Sequence, residues 1–551
     1  MARDSVSEMR KAIGEKQASE KVSQVVVPAH VFSLPAEKPM LAGLTPGISF
    51  ALSLFRDLIS NAILMRIVKL RLLLLMFLAA LASAQNPADQ VIAEALKPSP
   101  LESNLQRLTD QIGGRVPGTL AMRQAVDWGV AAFKAAGADN VHTENFTIPA
   151  SWGEGFTRMS VSAPEKFDVR VVSMAWAPAL AAHQDVPIVD VGEGKPEDFV
   201  KAGNVTGALL LVHSNEMSTW DDLFAEYLRA PGIILRAVQA NALAIAVQST
   251  RPHDLLYRHT DSLQGEIAPI PMVLVAREDA GRIARLLASG QKVRADLAIP
   301  NRVGGPITAT NVIGEIRGNE KPNEFVILGA HLDSWELGTG ALDNGCNAAL
   351  VIDALRAIKT AGLRPRRSIR FILFSGEEEG LLGSHAYAIA HRAELDKAAA
   401  VIVFDSGTGK VTGFSVGGRK DVVDAANNLV SPLKQFDAAT LKTTAEWGTD
   451  HFDFMLEGVP TFVAEQEEAN YLINYHAMSD TFDKVDLLQL KKHVAEAAAF
   501  TFGLANASER VGPRLHHAQI EETMHETHLD ELMKTFGMWQ SWQDGKWGRP
   551  D

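Results

Sequence analysis

Two histidines and a group of carboxylates stand in this sequence directly after apolar runs that read as strands. His331 and Asp333 follow Phe325–Ala330; Glu377, Glu378 and Glu379 follow Phe371–Phe374 by way of Ser375-Gly376; Asp405 follows Val401–Phe404. His476 stands in NYHAMSDT, after a further strand and loop. In open parallel sheets, ligands bind outside the carboxyl ends of the strands, so these groups are expected to converge on one crevice. Asp343 belongs to a Gly-rich loop, GTGALDNG, that leads into the next helix and carries it back over the same edge.

Imidazoles and carboxylates without a thiolate suit Zn²⁺ held by nitrogen and oxygen, and three protein ligands per ion leave a position open for water. Three acidic ligands against two dications leave one positive charge, which a bridging hydroxide neutralises, so two metals fit better than one. Two dications about 3.5–4 Å apart polarise a carbonyl and generate hydroxide at neutral pH, which is the equipment of amide hydrolysis.

Several of these residues also have an ordinary reading. A run such as Glu377-Glu378-Glu379 suits a solvated helix start, where acids complement the helix dipole, and Glu379 is given that role. Asp450 and His451 either line the substrate pocket or open a helix; Asp480 either supports His476 or caps TFDKVD. Cys346 reads as a small residue packed at a helix start, with no basic group in sight to activate its thiol. As the single cysteine it excludes an intramolecular disulfide and a Cys-rich metal site.

The elements that must position these groups alternate strand and helix from Ala309 onward, as in a parallel α/β sheet. EFVILGA, SIRFILFS, AAAVIVFD and VPTFVAE are the strands, with helices such as NAALVIDALRAIKTAG between them. Helical periodicity covers 88–137, and VHTENFTIP alternates like a strand. From 168 to 299 the texture changes to short β-like runs with brief helical pieces and no ligand cluster, and 300–306 reads as the exit linker. The last 40 residues carry an amphipathic helix over 521–536 and three tryptophans, Trp539, Trp542 and Trp547, that read as packing.

Residues 65–84, MRIVKLRLLLLMFLAALASA, combine a basic start, a short apolar run and an A-x-A end, the pattern of a signal peptide. The run is short for a membrane span, which needs about 20 apolar residues. The expected product is secreted or periplasmic, with no stable membrane span after cleavage. Met65 is read as the initiator and 1–64 as a leader outside the native protein or disordered. A net charge of −13 over 551 residues repels phosphate backbones and excludes nucleic acid as a partner.

The motifs GAHLDSW, GALDNGCNAA, SGEEEGLLGSHAYA, FDSGTG, GTDHFDF and NYHAMSDTFDKVD resemble, in order, those of the secreted co-catalytic zinc peptidases. The similarity covers about 301–504. With TGALLLVHS in the insert and GGRVPGT near the start, the layout is most similar to the plasma glutamate carboxypeptidase, or carboxypeptidase Q, group. The resemblance implies an α/β, three-layer zinc-exopeptidase fold with a mostly parallel central sheet and an inserted β-rich protease-associated domain. Its layout would be a peptidase domain over 85–167 and 301–510, the insert over 168–300 and a tail over 511–551.

It further implies two Zn²⁺ per chain, His331 and Asp405 on one, Glu378 and His476 on the other, Asp343 bridging, and Glu377 as general base. The Asp343–Asn344 bond is expected to be cis. Asp333 is expected to orient His331 by accepting its other ring N–H. The substrate would be a dipeptide or short peptide. Amino- and carboxypeptidase activity stay open, as do a glutaminyl-cyclase-like acyltransferase, a non-catalytic receptor-like ectodomain, and a homodimer.

Overall fold

The computed structural model describes residues 86–550, together with residues 65, 69 and 71. The leader and nearly all of the signal-like segment therefore lie outside the described residues. Among the described residues, no helix is long and apolar enough to cross a membrane.

The main sheet has eight strands, β1 (Asn140–Ile148), β2 (Ile307–Ile316), β3 (Lys321–His331), β4 (Arg367–Phe374), β5 (Ala398–Val403), β6 (Val411–Ser415), β7 (Thr440–Lys442) and β8 (Thr461–Gln466). Their order is β1-β2-β4-β3-β5-β8-β6-β7. The four central strands, β4, β3, β5 and β8, run parallel. β2 is antiparallel to β4, β1 to β2, and β6 to β8, while β6 and β7 at the far edge are again parallel, so the sheet is mixed but mostly parallel.

Alternation along β3 explains the three layers, because successive side chains leave opposite faces of a strand. Val326, Leu328 and Ala330 share one core cluster with residues of helices α1 (Leu120–Ala136), α2 (Cys346–Thr360) and α3 (Leu487–Asn506), α2 and α3 lying against β3 itself. Phe325 and Ile327 point the other way, into a cluster with Tyr387 and Phe454. Apolar side chains on both faces produce the continuous hydrophobic runs expected of buried parallel strands. Local chemistry sets the helix ends: Thr119 accepts the Met122 N–H at the start of α1, and Asp486 accepts those of Leu488 and Gln489 at the start of α3.

A second eight-stranded sheet occupies the insert. It begins at Arg158 rather than 168, because Arg158–Ala163 pairs with Arg294–Ile299. Its central pairs are parallel and three helices, Pro196–Ala202, Trp220–Gln239 and Arg277–Ala288, accompany it, so it is an α/β unit rather than a β-rich one. The Trp220–Gln239 helix escapes sequence reading because Pro231-Gly232 looks like a break; a reciprocal Thr219–Asp222 cap starts it, and the helix continues through the proline. The exit segment is no loose linker, since Arg302–Gly304 pairs with Ser151–Gly153 and closes the neck of the insert.

At the C-terminus the expected single helix is two, His517–Thr527 and Leu529–Thr535, separated by His528 at φ 61°. Trp542 and Trp547 are buried, in keeping with a packing role.

Candidate active site

His331 is the last residue of β3, Glu377 and Glu378 lie in the turn after β4, and Asp405 lies just beyond β5. Three adjacent parallel strands thus present their carboxyl ends to one place. Asp343 arrives from the loop before α2, where Gly340 adopts φ 60° and a Cβ would lie 2.3 Å from Ser334, so a side chain is excluded there. The Asp343–Asn344 peptide is cis. His476 comes from the loop after β8, itself at φ 59°.

The donor atoms form two triads, His331–Asp343–Asp405 and Asp343–Glu378–His476, each with ligand atoms within 4.8 Å of one another. His331 Nε2 is 3.0 Å from Asp405 Oδ1 and 3.2 Å from Asp343 Oδ1. His476 Nε2 is 2.8 Å from Glu378 Oε2 and 3.4 Å from Asp343 Oδ2. Asp343 therefore turns one oxygen to each histidine. All five side chains come from residues 331–476; the insert contributes none.

The electrostatics fit dications. Burial pushes the carboxyls of Glu377 and Glu378 well above their usual range, and neighbouring carboxylates, Asp405 and Asp450 for Glu377 and Asp343 for Glu378, push them further. Burial works against a charge on His331, but Asp405, Glu377 and Asp343 outweigh it and hold the imidazole well above its ordinary value. Burial lowers His476 to about 4, leaving a neutral imidazole. Asp343 Oδ2 and Glu378 Oε1 are buried without a hydrogen-bond partner. Crowded carboxylates, one neutral imidazole and unpaired oxygens constitute a site short of positive charge, a deficit that two M²⁺ ions would relieve.

The expectation for Asp333 needs correction. His331 Nδ1 meets the main-chain carbonyl of Asp333 at 3.1 Å, whereas its carboxylate stands 3.7 Å away. That carboxylate instead accepts the Glu378 main-chain N–H at 3.1 Å, joining the loops that follow β3 and β4. Asp480 is neither a cap nor a partner of His476: its two oxygens accept the N–H groups of Leu342 and Asp343. Glu379 is not solvated either; it is buried, and burial with Asp333 and Glu378 beside it raises its carboxyl well above the usual range.

Asp450 precedes a helix at His451–Leu456 without capping it by hydrogen bond, and both its oxygens are buried and unpartnered. His451 is buried with Nε2 3.1 Å from the Glu446 carbonyl. Neither belongs to the pocket wall. Cys346 is buried at the start of α2, where its thiol donates to the Leu342 carbonyl and burial raises it well above its ordinary value.

A cavity of about 380 Å³ opens over the two triads and Glu377. Sequence reading missed most of its wall. Trp220, Leu223, Phe224 and Tyr227 come from the insert helix, and Tyr471, Tyr475, Glu446, Trp447 and Thr449 come from the catalytic part. Tyr475 could have been suspected as the neighbour of His476; Tyr227 has no sequence signal, since it lies 248 residues from Tyr475, its hydrogen-bond partner at 2.7 Å.

Carboxypeptidase Q of Mus musculus is 26% identical over 404 residues, covering 73% of this chain and 85% of that protein. A solved peptidase M28 precursor from Shewanella amazonensis SB2B superposes with a TM-score of 0.71 at 28% identity, over 78% of this chain and 98% of its own. A zinc aminopeptidase from Bacillus subtilis shares the fold at 20% identity, with a TM-score of 0.59 over 75% of this chain and 96% of its own. Residues 311–501, which supply all five donors and Glu377, match Peptidase family M28, and the chain is a metallopeptidase.

Proposed function

We propose that this protein is an exported, zinc-dependent exopeptidase that hydrolyses dipeptides or short peptides in the manner of carboxypeptidase Q. The carrying observation is the position of Asp343, one oxygen toward His331 and the other toward His476. On this reading His331, Asp343 and Asp405 hold one Zn²⁺, and Asp343, Glu378 and His476 hold a second. Zinc held by these residues would supply Lewis-acid polarisation of a carbonyl and lower the pKa of water at the site. Glu377, 3.9 Å from His331 Nε2 and facing the cavity, takes the proton of the attacking water and delivers it to the leaving amine. The insert acts as a protease-associated domain, its helix Trp220–Gln239 screening the cavity from bulk water.

Metal analysis of active protein, expected to find two zinc ions per chain, tests the site; hydrolysis of dipeptides with either terminus blocked tests the specificity. Peptide hydrolysis without cyclisation of N-terminal Gln separates it from an acyltransferase. Export is tested by mass spectrometry of the mature product, expected to begin at Gln85.

A second reading, an aminopeptidase, is favoured by one feature of the cavity. Among the described residues, its wall beyond the donor triads includes Glu446 and Glu465 and no Lys or Arg, so a substrate carboxylate meets no cation from them whereas an ammonium group finds partners. Hydrolysis that survives amidation of the C-terminus but not acylation of the N-terminus would select this reading.

A further inference from the structure

The two donor triads differ in what holds them. His331 and Asp405 sit at the ends of neighbouring strands β3 and β5, whose pairing fixes them. His476 has no strand beneath it. It lies in a loop with a left-handed backbone, a conformation that a non-glycine residue keeps only when its surroundings enforce it.

Those surroundings are supplied by the insert. The N–H of Arg258 donates to the His476 carbonyl at 2.8 Å and that of Met478 to the Leu256 carbonyl at 3.1 Å, with Tyr257 and Ala477 paired as an antiparallel bridge. Side chains tighten the hold one residue earlier. Arg251 Nη2 donates to the Tyr475 carbonyl at 3.1 Å, and the Tyr227 and Tyr475 hydroxyls meet at 2.7 Å. The Tyr475 ring in turn stacks on the His476 imidazole, with centroids 3.6 Å apart. Arg251 is itself fixed, being buried against Glu226 and 4.0 Å from the centre of the Tyr257 ring. Gln264 of the insert also donates to the Glu379 carbonyl, next to Glu378. Among the described residues, no hydrogen bond runs from the insert to His331 or Asp405.

We propose that the insert positions one half of the metal centre. Arg251 and Tyr227 act as positioning residues that hold Tyr475, and through it His476, so that the affinity of the Asp343–Glu378–His476 position depends on the insert. The His331–Asp343–Asp405 position depends on the main sheet. This inference rests on the two-metal reading above.

The test is zinc titration of the full, metal-stripped protein against a competing chromophoric chelator, with His476→Ala marking which binding step belongs to His476. In Arg251→Met that same step is expected to weaken about 10–100-fold, the size usual for removing an outer partner of a ligand. The other step should stay within about threefold, and Arg251→Lys should recover part of the loss. Tyr227→Phe removes one hydroxyl only and should move the same step by a smaller factor; it decides the matter if Arg251→Met does not fold. Unchanged steps in both variants, or equal weakening of the two steps, would overturn the inference while leaving two bound metals intact. A wild-type protein that binds a single zinc would instead refute the two-metal reading, and this inference with it.

Discussion

The carboxylate of Asp480 accepts the main-chain N–H of Asp343 at 3.1 Å and, through its other oxygen, that of Leu342 at 2.7 Å. One buried side chain from the His476 loop therefore orients the loop that carries the shared donor. Asparagine at 480 keeps one acceptor and turns an NH₂ toward the other donor, and an unsatisfied buried N–H costs about 1–3 kcal/mol. Asp480→Asn is expected to lower zinc affinity by roughly tenfold or more while the fold persists. Chelator competition alongside circular dichroism checks both halves of the statement.

Asp343 differs from the other four donors in belonging to both triads. His331→Ala and His476→Ala should each cost one metal per chain, and Asp343→Ala both. Chelation of the wild-type protein should abolish hydrolysis, and added Zn²⁺ should restore it. Elemental analysis of each purified variant provides the comparison.

Glu377 and Glu378 are chemically identical neighbours, but only Glu378 lies in a donor triad. Glu377→Gln is expected to reduce kcat by about 10²–10⁴-fold with metal content unchanged, the range typical for loss of a general base. Glu378→Gln should lose metal as well as rate. Steady-state kinetics paired with metal analysis would separate the roles, and retention of most activity by Glu377→Gln would remove the base from the mechanism.

Glu496 offers a pH test away from the active site. It is fully buried on α3 with neither oxygen hydrogen-bonded, and burial raises its carboxyl to about 8. A folded-state value above the unfolded one stabilises the protein at low pH, a contribution lost as pH rises from about 4.5 through 8. At about 1.4 kcal/mol per unit, the loss amounts to at most about 5 kcal/mol. Glu496→Gln should unfold near the wild-type temperature at pH 4–5 and at a higher temperature at pH 8–9. Thermal melts across this range would show the opposite order if Glu496 has a cationic partner.

The sequence by itself determined the catalytic strands and the polar residues at their ends, because both are local properties. An apolar run of six to eight residues specifies a buried strand, and the residue after it emerges at the sheet's edge whatever the rest of the chain does. His331, Glu377, Glu378 and Asp405 were legible on that basis, and Asp343 through the glycines that its loop requires.

Only the tertiary structure decided how these residues are supported. The Asp333 carbonyl rather than its carboxylate meets His331, Glu379 is buried, and Asp480 holds Asp343 across 137 residues of chain. The Trp220–Gln239 helix survives its internal proline, and the insert grips the loop of His476. Each of these depends on the packing of segments far apart in the chain. A single sequence records propensities along the chain but not which distant donor will face a given acceptor.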